Sequence, residues 1–293
     1  MTSEIREDAL TGATVAVAAA RQGRPNLPHE VCPFCVGGLE SPEPYDVRAF
    51  VNRWPTFADD RCEIVLYTPA HDATFWSLGI EGAMKVVDVW AERTAMLGAR
   101  DDIAYVLVFE NRGAAVGATI PHPHGQIYAY DIVPPNPLAE LQRAETHGCQ
   151  LCSEDPGARL VTQASEWRAW VPWASMYPYG LVVAPRTHEP DLPSLSAPSR
   201  RELAAVLIDV LARLDHMWQQ PVPYMLWFHQ RPFDGGPWPS AHVHVEIAVP
   251  ERAPGVMRYV AAGELGSGLY VNPVEPEAAA ATLRAVDVAT VLP

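Results

Sequence analysis

No window of the chain reaches the roughly 18 uncharged apolar residues that a membrane span needs. The N-terminal "MTSEIREDAL" holds acidic side chains and no apolar run of leader length. The expected location is the cytoplasm, with no membrane partner. Positive charge is scarce as well: 21 Lys and Arg stand against 35 Asp and Glu, a formal net charge of −14. A field of that sign repels polyanions and argues against nucleic acid as a partner. It still permits a small phosphorylated ligand held by a local pair of arginines, and Arg21 and Arg24 in "ARQGRPNLP" are candidates. Cysteine is sparse, with five in the chain. In a reducing compartment these are metal ligands or buried thiols rather than disulfides.

What is present is a folded composition, 48% hydrophobic and 19% charged over 293 residues, enough for one large or two ordinary domains. The 29 prolines, about twice the ordinary share of roughly 5%, predict rigid loops. Four of the five cysteines form two C-x-x-C pairs, Cys32/Cys35 in "VCPFCVGG" and Cys149/Cys152 in "GCQLCSED"; Cys62 is left over, buried beside a strand.

The chain carries one ruler twice. His71 follows Cys35 by 36 residues, and His188 follows Cys152 by 36. After 51 and 54 further residues come two H-x-H steps, His122/His124 and His242/His244. The intervening patterns agree. A strand-like run closes in a proline turn, "CEIVLYTPAH" or "YGLVVAPRTH". A helix-period segment follows, "IEGAMKVVDVWAERTAML" or "SRRELAAVLIDVLARLDHMW", then a second strand, "IAYVLVFEN" or "VPYMLWFHQ". Ser196 or Ser199 can cap the second helix, with Glu202 completing a capping box after Ser199. This order predicts an α+β fold of tandem duplicated units, antiparallel sheets with packed helices. The boundary falls near "DIVPPNPLAELQRAETHG", dividing the chain into 1–133 and 134–293.

Two thiolates and two imidazoles are a soft four-donor set suited to tetrahedral zinc. The sets are Cys32, Cys35, His71 and His122 in the first half and Cys149, Cys152, His188 and His242 in the second. The plainer alternative is a pair of buried thiols with hydrogen-bonded core histidines, which the repeated offset disfavours. Both sites would be closed and structural, with no position left for water. Residues two apart on a strand share a face, so His122, held by a metal, can fix the backbone that aims His124. An imidazole so held can act as a nucleophile, one nitrogen attacking while the other is fixed by a carbonyl.

At "FENRGAAVGATIPHPHGQIYAY" the sequence resembles the galactose-1-phosphate uridylyltransferases, a branch of the histidine-triad superfamily. Supporting matches are "RQGRP", "CPFC", "FVNRWPTF", "LYTPAH", "LWFHQRPFDGG", "AHVHVEI" and "YVAAGELGSGLYVNP", from Arg21 to about Arg284. The resemblance implies a ping-pong exchange in which His124 takes UMP from UDP-glucose and passes it to galactose 1-phosphate, with Gln126 donating to the phosphate oxygens. It places Asn52, Arg53 and Trp54 at the uridine, although Trp54 reads equally as a core aromatic. Asn111, Gly117 and Thr119 fall along the ribose and phosphates, Arg21 and Arg24 toward the phosphates, and Arg258 and Glu264 near the hexose. As isolated residues the last two would be surface charges. The resemblance also implies a homodimer whose partners are a nucleotide sugar and a sugar 1-phosphate.

The sequence departs from the family's pattern in its short length and in "GSGLYVNP", where the hexose-contacting glutamine is not evident. It also carries the pair Cys149/Cys152. Members without that pair use a glutamate and three histidines, and Glu140, His229, His242 and His244 stand at those places. The thiolate set is favoured because it repeats the first half. Two other readings remain open: a phosphorylase or adenylyltransferase acting on ADP-glucose or a related nucleotide sugar through the same histidine, and a zinc-stabilised nucleotide-binding module without turnover. "AHVHVEI" lacks the following Gly-Gln, so His244 is expected not to be a second nucleophile.

Overall fold

The computed structural model describes residues 3–23, 32–58, 60–290 and 292. In chain order the first half contributes the hairpin β1 (Glu4–Glu7) and β2 (Thr14–Val17), then β3 (Arg48–Val51), β4 (Cys62–Leu66), α1 (Gly79–Gly98), β5 (Tyr105–Arg112) and β6 (His124–Tyr130). The second half opens with α2 (Pro135–His147) and α3 (Gln150–Ser153). It continues with β7 (Leu160–Gln163), β8 (Trp167–Trp170), β9 (Leu181–Pro185), α4 (Ala197–His216), β10 (Tyr224–His229) and β11 (His244–Ala248). The hairpin β12 (Glu251–Ala253) and β13 (Val256–Met257), and the helices α5 (Ala262–Ser267) and α6 (Pro276–Arg284), complete it.

The expected repeat is a strand–helix–strand–strand unit, β4-α1-β5-β6 and again β9-α4-β10-β11. The nine strands from β3 to β11 join in one antiparallel sheet, ordered β3-β4-β6-β5-β10-β11-β9-β8-β7. The two units meet where β5 pairs with β10, Phe109 opposite Trp227. The sequence expectation of two packed units therefore resolves into a single continuous sheet.

Alternation in β6 sorts the two faces: Gly125, Ile127 and Ala129 are buried, while His124, Gln126, Tyr128 and Tyr130 are half-buried on the opposite side. The inner face packs on α1 and α4, whose apolar residues recur at three and four: Ala83, Val86, Val87, Trp90, Ala91 and Leu97 in one, and Leu203, Leu207, Leu211 and Leu214 among others in the other. Trp90 is 1% exposed and stacks on Phe75 at 5.6 Å; burying so large a side chain contributes about 1.5–3 kcal/mol. Ion pairs Arg200–Asp88 and Arg201–Glu81 link the two helices at the surface.

The cap of α4 differs from the expected box. Ser196 is the N-cap and accepts from the Ser199 amide at 3.3 Å. Glu202 instead accepts the Glu166 amide at 2.6 Å and the Trp167 amide at 3.3 Å, and Ser199 accepts the Trp167 indole N–H at 2.9 Å. These residues satisfy donors at the start of β8, a long-range partner that no local pattern announces.

Candidate active site

Both thiol–imidazole sets assemble as the spacing predicts. Within Cys32, Cys35, His71 and His122, and again within Cys149, Cys152, His188 and His242, the donor atoms lie within 4.8 Å of one another. In the first set Cys35 Sγ is 3.4 Å from His71 Nδ1 and 3.6 Å from His122 Nδ1, and Cys32 Sγ is 3.9 Å from His122 Nδ1. In the second, Cys149 Sγ lies 3.2 Å from His242 Nδ1, and Cys152 Sγ lies 3.3 Å from His188 Nδ1 and 3.5 Å from His242 Nδ1. Tetrahedral zinc at its usual bond lengths separates sulfur from nitrogen by about 3.5 Å.

The tautomers agree with this donor role. His122 Nε2–H donates to the Thr68 carbonyl at 2.8 Å, His188 Nε2–H to Pro239 at 3.1 Å and His242 Nε2–H to Pro185 at 3.2 Å, which leaves each Nδ1 lone pair facing the sulfurs. Burial lowers the pKa of His122, and burial together with the neighbouring His188 pushes His242 down to about 4, so both rings are neutral. The Cys152 thiol is pushed up to about 11 by burial and the adjacent Cys149 sulfur. Two thiolates this close need a cation between them to ionise together. The CPFC loop is held tight at Gly38, where an added β-carbon would sit 2.6 Å from the carbonyl oxygens of both Cys32 and Pro33.

His122 lies in the bend just before β6, not on the strand, so the two histidines do not share a face as expected. His122 turns inward, 1% exposed, and His124 opens the strand, half-buried on its outer face. Pro121 and Pro123 make that bend rigid and withhold amide donors there. His124 Nδ1–H donates to the His122 carbonyl at 2.7 Å, so the neutral ring keeps its lone pair on Nε2. Phe34, from the CPFC loop, packs edge-on against His124 with centroids 5.1 Å apart. His124 and Asn111 line one small cleft. Gln126 shares the outer face, flanked across the strands by Ile64 and Phe109.

Arg21 reaches this face: its guanidinium donates to the Thr56 hydroxyl and, at 3.1 Å, to the Tyr128 hydroxyl. Arg24 lies outside the described residues. Asn52 is buried and its side chain accepts the Trp54 amide at 2.8 Å, making it a turn-former. Arg53 is exposed, and Trp54 is 40% exposed, which removes the core-aromatic reading. Gly117 sits at φ 85°, a left-handed position that favours glycine, and Thr119 follows in the same loop toward His124. Arg258 and Glu264 are not surface charges. They form a buried ion pair, with Arg258 also donating to the Val271 carbonyl at 3.1 Å, in the C-terminal region.

The second half repeats the hydrogen bonding of His124 without its surroundings. His244 Nδ1–H donates to the His242 carbonyl at 2.9 Å, but Glu246 stands where Gln126 stands in the first half. The two proposed ligand sets do not compete. His242 goes with the thiols, while Glu140, His229 and His244 gather with Glu246 into a third group within 4.8 Å that could hold a cation. Burial opposes protonation of His229, and the hydrogen bond and charge of Glu140, at 2.8 Å, overcome it and raise its pKa. A cavity of about 820 Å³ adjoins this group, partly roofed by α2.

Sequence reasoning missed the polar cluster beneath His124. Glu110, 4% exposed, accepts the Tyr67 hydroxyl at 2.9 Å and the Tyr224 hydroxyl at 2.7 Å. Burial raises its pKa against the pull of these donors. The signal was Glu110 itself, a charge at an inward position of β5. Tyr45 was missed too: its hydroxyl donates to the Phe34 carbonyl at 2.7 Å, lies 2.9 Å from His122 Nε2, and is pushed up to about 12 by burial and the two sulfurs.

Known proteins match along nearly the whole chain. The family model for the N-terminal domain of galactose-1-phosphate uridyl transferase matches residues 56–134, and that for its C-terminal domain matches residues 151–288. The Thermotoga maritima galactose-1-phosphate uridylyltransferase is 34% identical over 97% of this chain and 99% of its own. A solved uridylyltransferase structure superposes with a TM-score of 0.86 at 32% identity, covering 96% of this chain and 98% of that one. An Arabidopsis thaliana ADP-glucose phosphorylase with bound ADP-glucose shares the fold, with a TM-score of 0.79 at 24% identity over 98% of this chain and 100% of its own.

Proposed function

The chain belongs to the galactose-1-phosphate uridylyltransferase family, and on that premise we propose that it exchanges UMP between UDP-glucose and galactose 1-phosphate through a uridylyl-histidine at His124. The observation that carries this reading is the tautomer of His124. With Nδ1–H given to the His122 carbonyl at 2.7 Å, Nε2 is the nucleophilic nitrogen. Nε2 attacks the α-phosphorus of UDP-glucose; the N–P bond forms as the P–O bond to glucose 1-phosphate breaks. In the second half-reaction a phosphate oxygen of galactose 1-phosphate attacks the same phosphorus, and the N–P bond gives its electron pair back to the imidazole. Gln126 donates to the non-bridging oxygens, where charge gathers in the transition state. Arg21, at the far end of the same strand face, and Arg24 neutralise phosphate.

In this reading Arg53 and the exposed Trp54 cover the uridine, Asn52 shapes their turn, and Asn111, Gly117 and Thr119 run along the ribose and phosphates. Arg258 and Glu264 belong to the hexose end, where their buried pairing makes them an anchor. Zinc is the metal that the two donor sets select. It would clamp the CPFC loop and the bend carrying His122, supplying structure rather than an open coordination position. The division into 1–133 and 134–293, a cytoplasmic location and a homodimer belong to the same proposal. The dimer is supported by exposed Tyr259, Leu265, Leu269 and Val271. Among the described residues no helix is long and apolar enough to cross a membrane.

The test is to incubate the protein with UDP-glucose labelled in the α-phosphate and locate the label by peptide mapping. Label on His124, released by galactose 1-phosphate as UDP-galactose, is the expected result. Transfer of AMP from ADP-glucose to inorganic phosphate instead would move the assignment to a phosphorylase. A wild-type protein that takes no label from either nucleotide sugar would be a binding module.

A further inference from the structure

The duplication allows the floor beneath the nucleophile to be compared with its counterpart. Gly125 follows His122 by three residues as Val245 follows His242, and Tyr67 precedes His71 by four as Ala184 precedes His188. One step beyond the Phe109–Gln126 pair Glu110 comes opposite Gly125, whereas Phe228 pairs with Val245. The second half fills these three places with Phe228, Val245 and Ala184, all 0% exposed. The fold therefore packs well with an apolar trio. The first half instead buries a carboxyl and a phenol against a glycine, a choice that is costly unless every polar atom is paired.

Each member of the polar trio acts on the step that carries His124. The Tyr67 amide donates to the Pro123 carbonyl at 3.3 Å, on one side of His124. The Tyr67 hydroxyl lies against Gly125 on the other side, where a β-carbon would collide with it. Glu110 fixes that hydroxyl at 2.9 Å and ties it to β10 through Tyr224 at 2.7 Å. The nucleophile's backbone is thus gripped at two adjacent points by one tyrosine, and that tyrosine is held by one carboxyl.

We propose that Glu110 is a positioning residue for uridylyl transfer: through Tyr67 it sets the Pro123–Gly125 backbone that aims His124. This rests on the assignment of His124 as nucleophile. An apolar floor supplies packing without direction, which suffices in the half where no group attacks phosphorus. A directional hydrogen bond is needed where a small displacement of the attacking nitrogen costs rate.

The experiment measures single-turnover labelling of His124 by labelled UDP-glucose, with the affinity for UDP-glucose, metal content and melting curve recorded for each protein. Tyr67→Phe and Glu110→Leu should each slow labelling by roughly 10- to 100-fold. Affinity should stay within about twofold, with two metals per chain retained. Glu110→Gln, which still offers Tyr67 an acceptor, should recover most of the rate. The double variant should be no slower than the worse single one, because both act along one path. Wild-type labelling rates in folded Tyr67→Phe and Glu110→Leu, a loss that merely tracks the folded fraction, or losses that multiply would overturn the inference. If Glu110→Leu does not fold, the rate of Tyr67→Phe decides alone. Absence of label on the wild-type protein would instead overturn the assignment of His124.

Discussion

The two halves hold their second H-x-H histidines almost identically, with Nδ1 donated to the carbonyl two residues back at 2.7 Å for His124 and 2.9 Å for His244. What differs is the surroundings. His124 has an amide, Gln126, next on its face; His244 has Glu246 on its own strand and Glu140 reaching in from α2. A carboxylate beside a nitrogen repels phosphate and attracts cations, so the same ring is placed in surroundings suited to opposite ligands. The ring's hydrogen bond repeats in both halves, whereas the neighbouring charge differs residue by residue.

The most severe way to break the comparison is to remove each histidine in turn. His124→Gly should abolish turnover of UDP-glucose, and His244→Gly should retain activity within about threefold. Equal losses in a steady-state assay would show that the two halves are not divided in role. Next in size is the loss of one sulfur. Cys35→Ala should drop bound metal from two per chain to one and slow His124 labelling at least tenfold, because Phe34 of the CPFC loop packs on His124. Cys152→Ala should lose a metal while leaving most of the labelling rate, with a lower melting temperature as its main effect.

A smaller effect is expected from exchanging the floors. Gly125→Val should displace Tyr67 and slow labelling, whereas Val245→Gly should leave labelling intact and cost about 2–4 kcal/mol in urea unfolding, from the cavity and the flexible residue. The smallest concerns acidity. Burial raises the Glu110 pKa above its ordinary value of 4.5. Its folded-state pKa therefore exceeds the unfolded one, and stability present at lower pH declines as pH rises through the interval between them. Phe228, its counterpart, cannot contribute such a slope. Glu110→Gln should flatten the melting temperature against pH just above 4.5; an unchanged slope would assign the dependence to other groups.

Much of this was legible because it is written in short-range pattern. The two C-x-x-C pairs and the 36-residue offset, with the H-x-H steps that follow, picked out the eight donor residues that the fold gathers into two clusters. Alternation in β6 placed His124 and Gln126 together. What the sequence concealed depends on pairings across the sheet. Glu110 of β5 meets Tyr224 of β10 and Tyr67 just beyond β4, Glu202 serves β8 rather than its own helix, and Arg258 is neutralised by Glu264 inside the C-terminal region. The placement of His122 was misread for a local reason: a proline on either side turned a strand position into a bend.

The seam between β5 and β10 gives the molecule one sheet and, through α1 against α4, one continuous apolar layer beneath it. Neither unit can peel away without exposing the apolar layer it shares with the other. Heating should accordingly produce a single sharp transition for the whole chain, and a bound nucleotide in the first half should slow amide exchange in β10 and β11, across the seam.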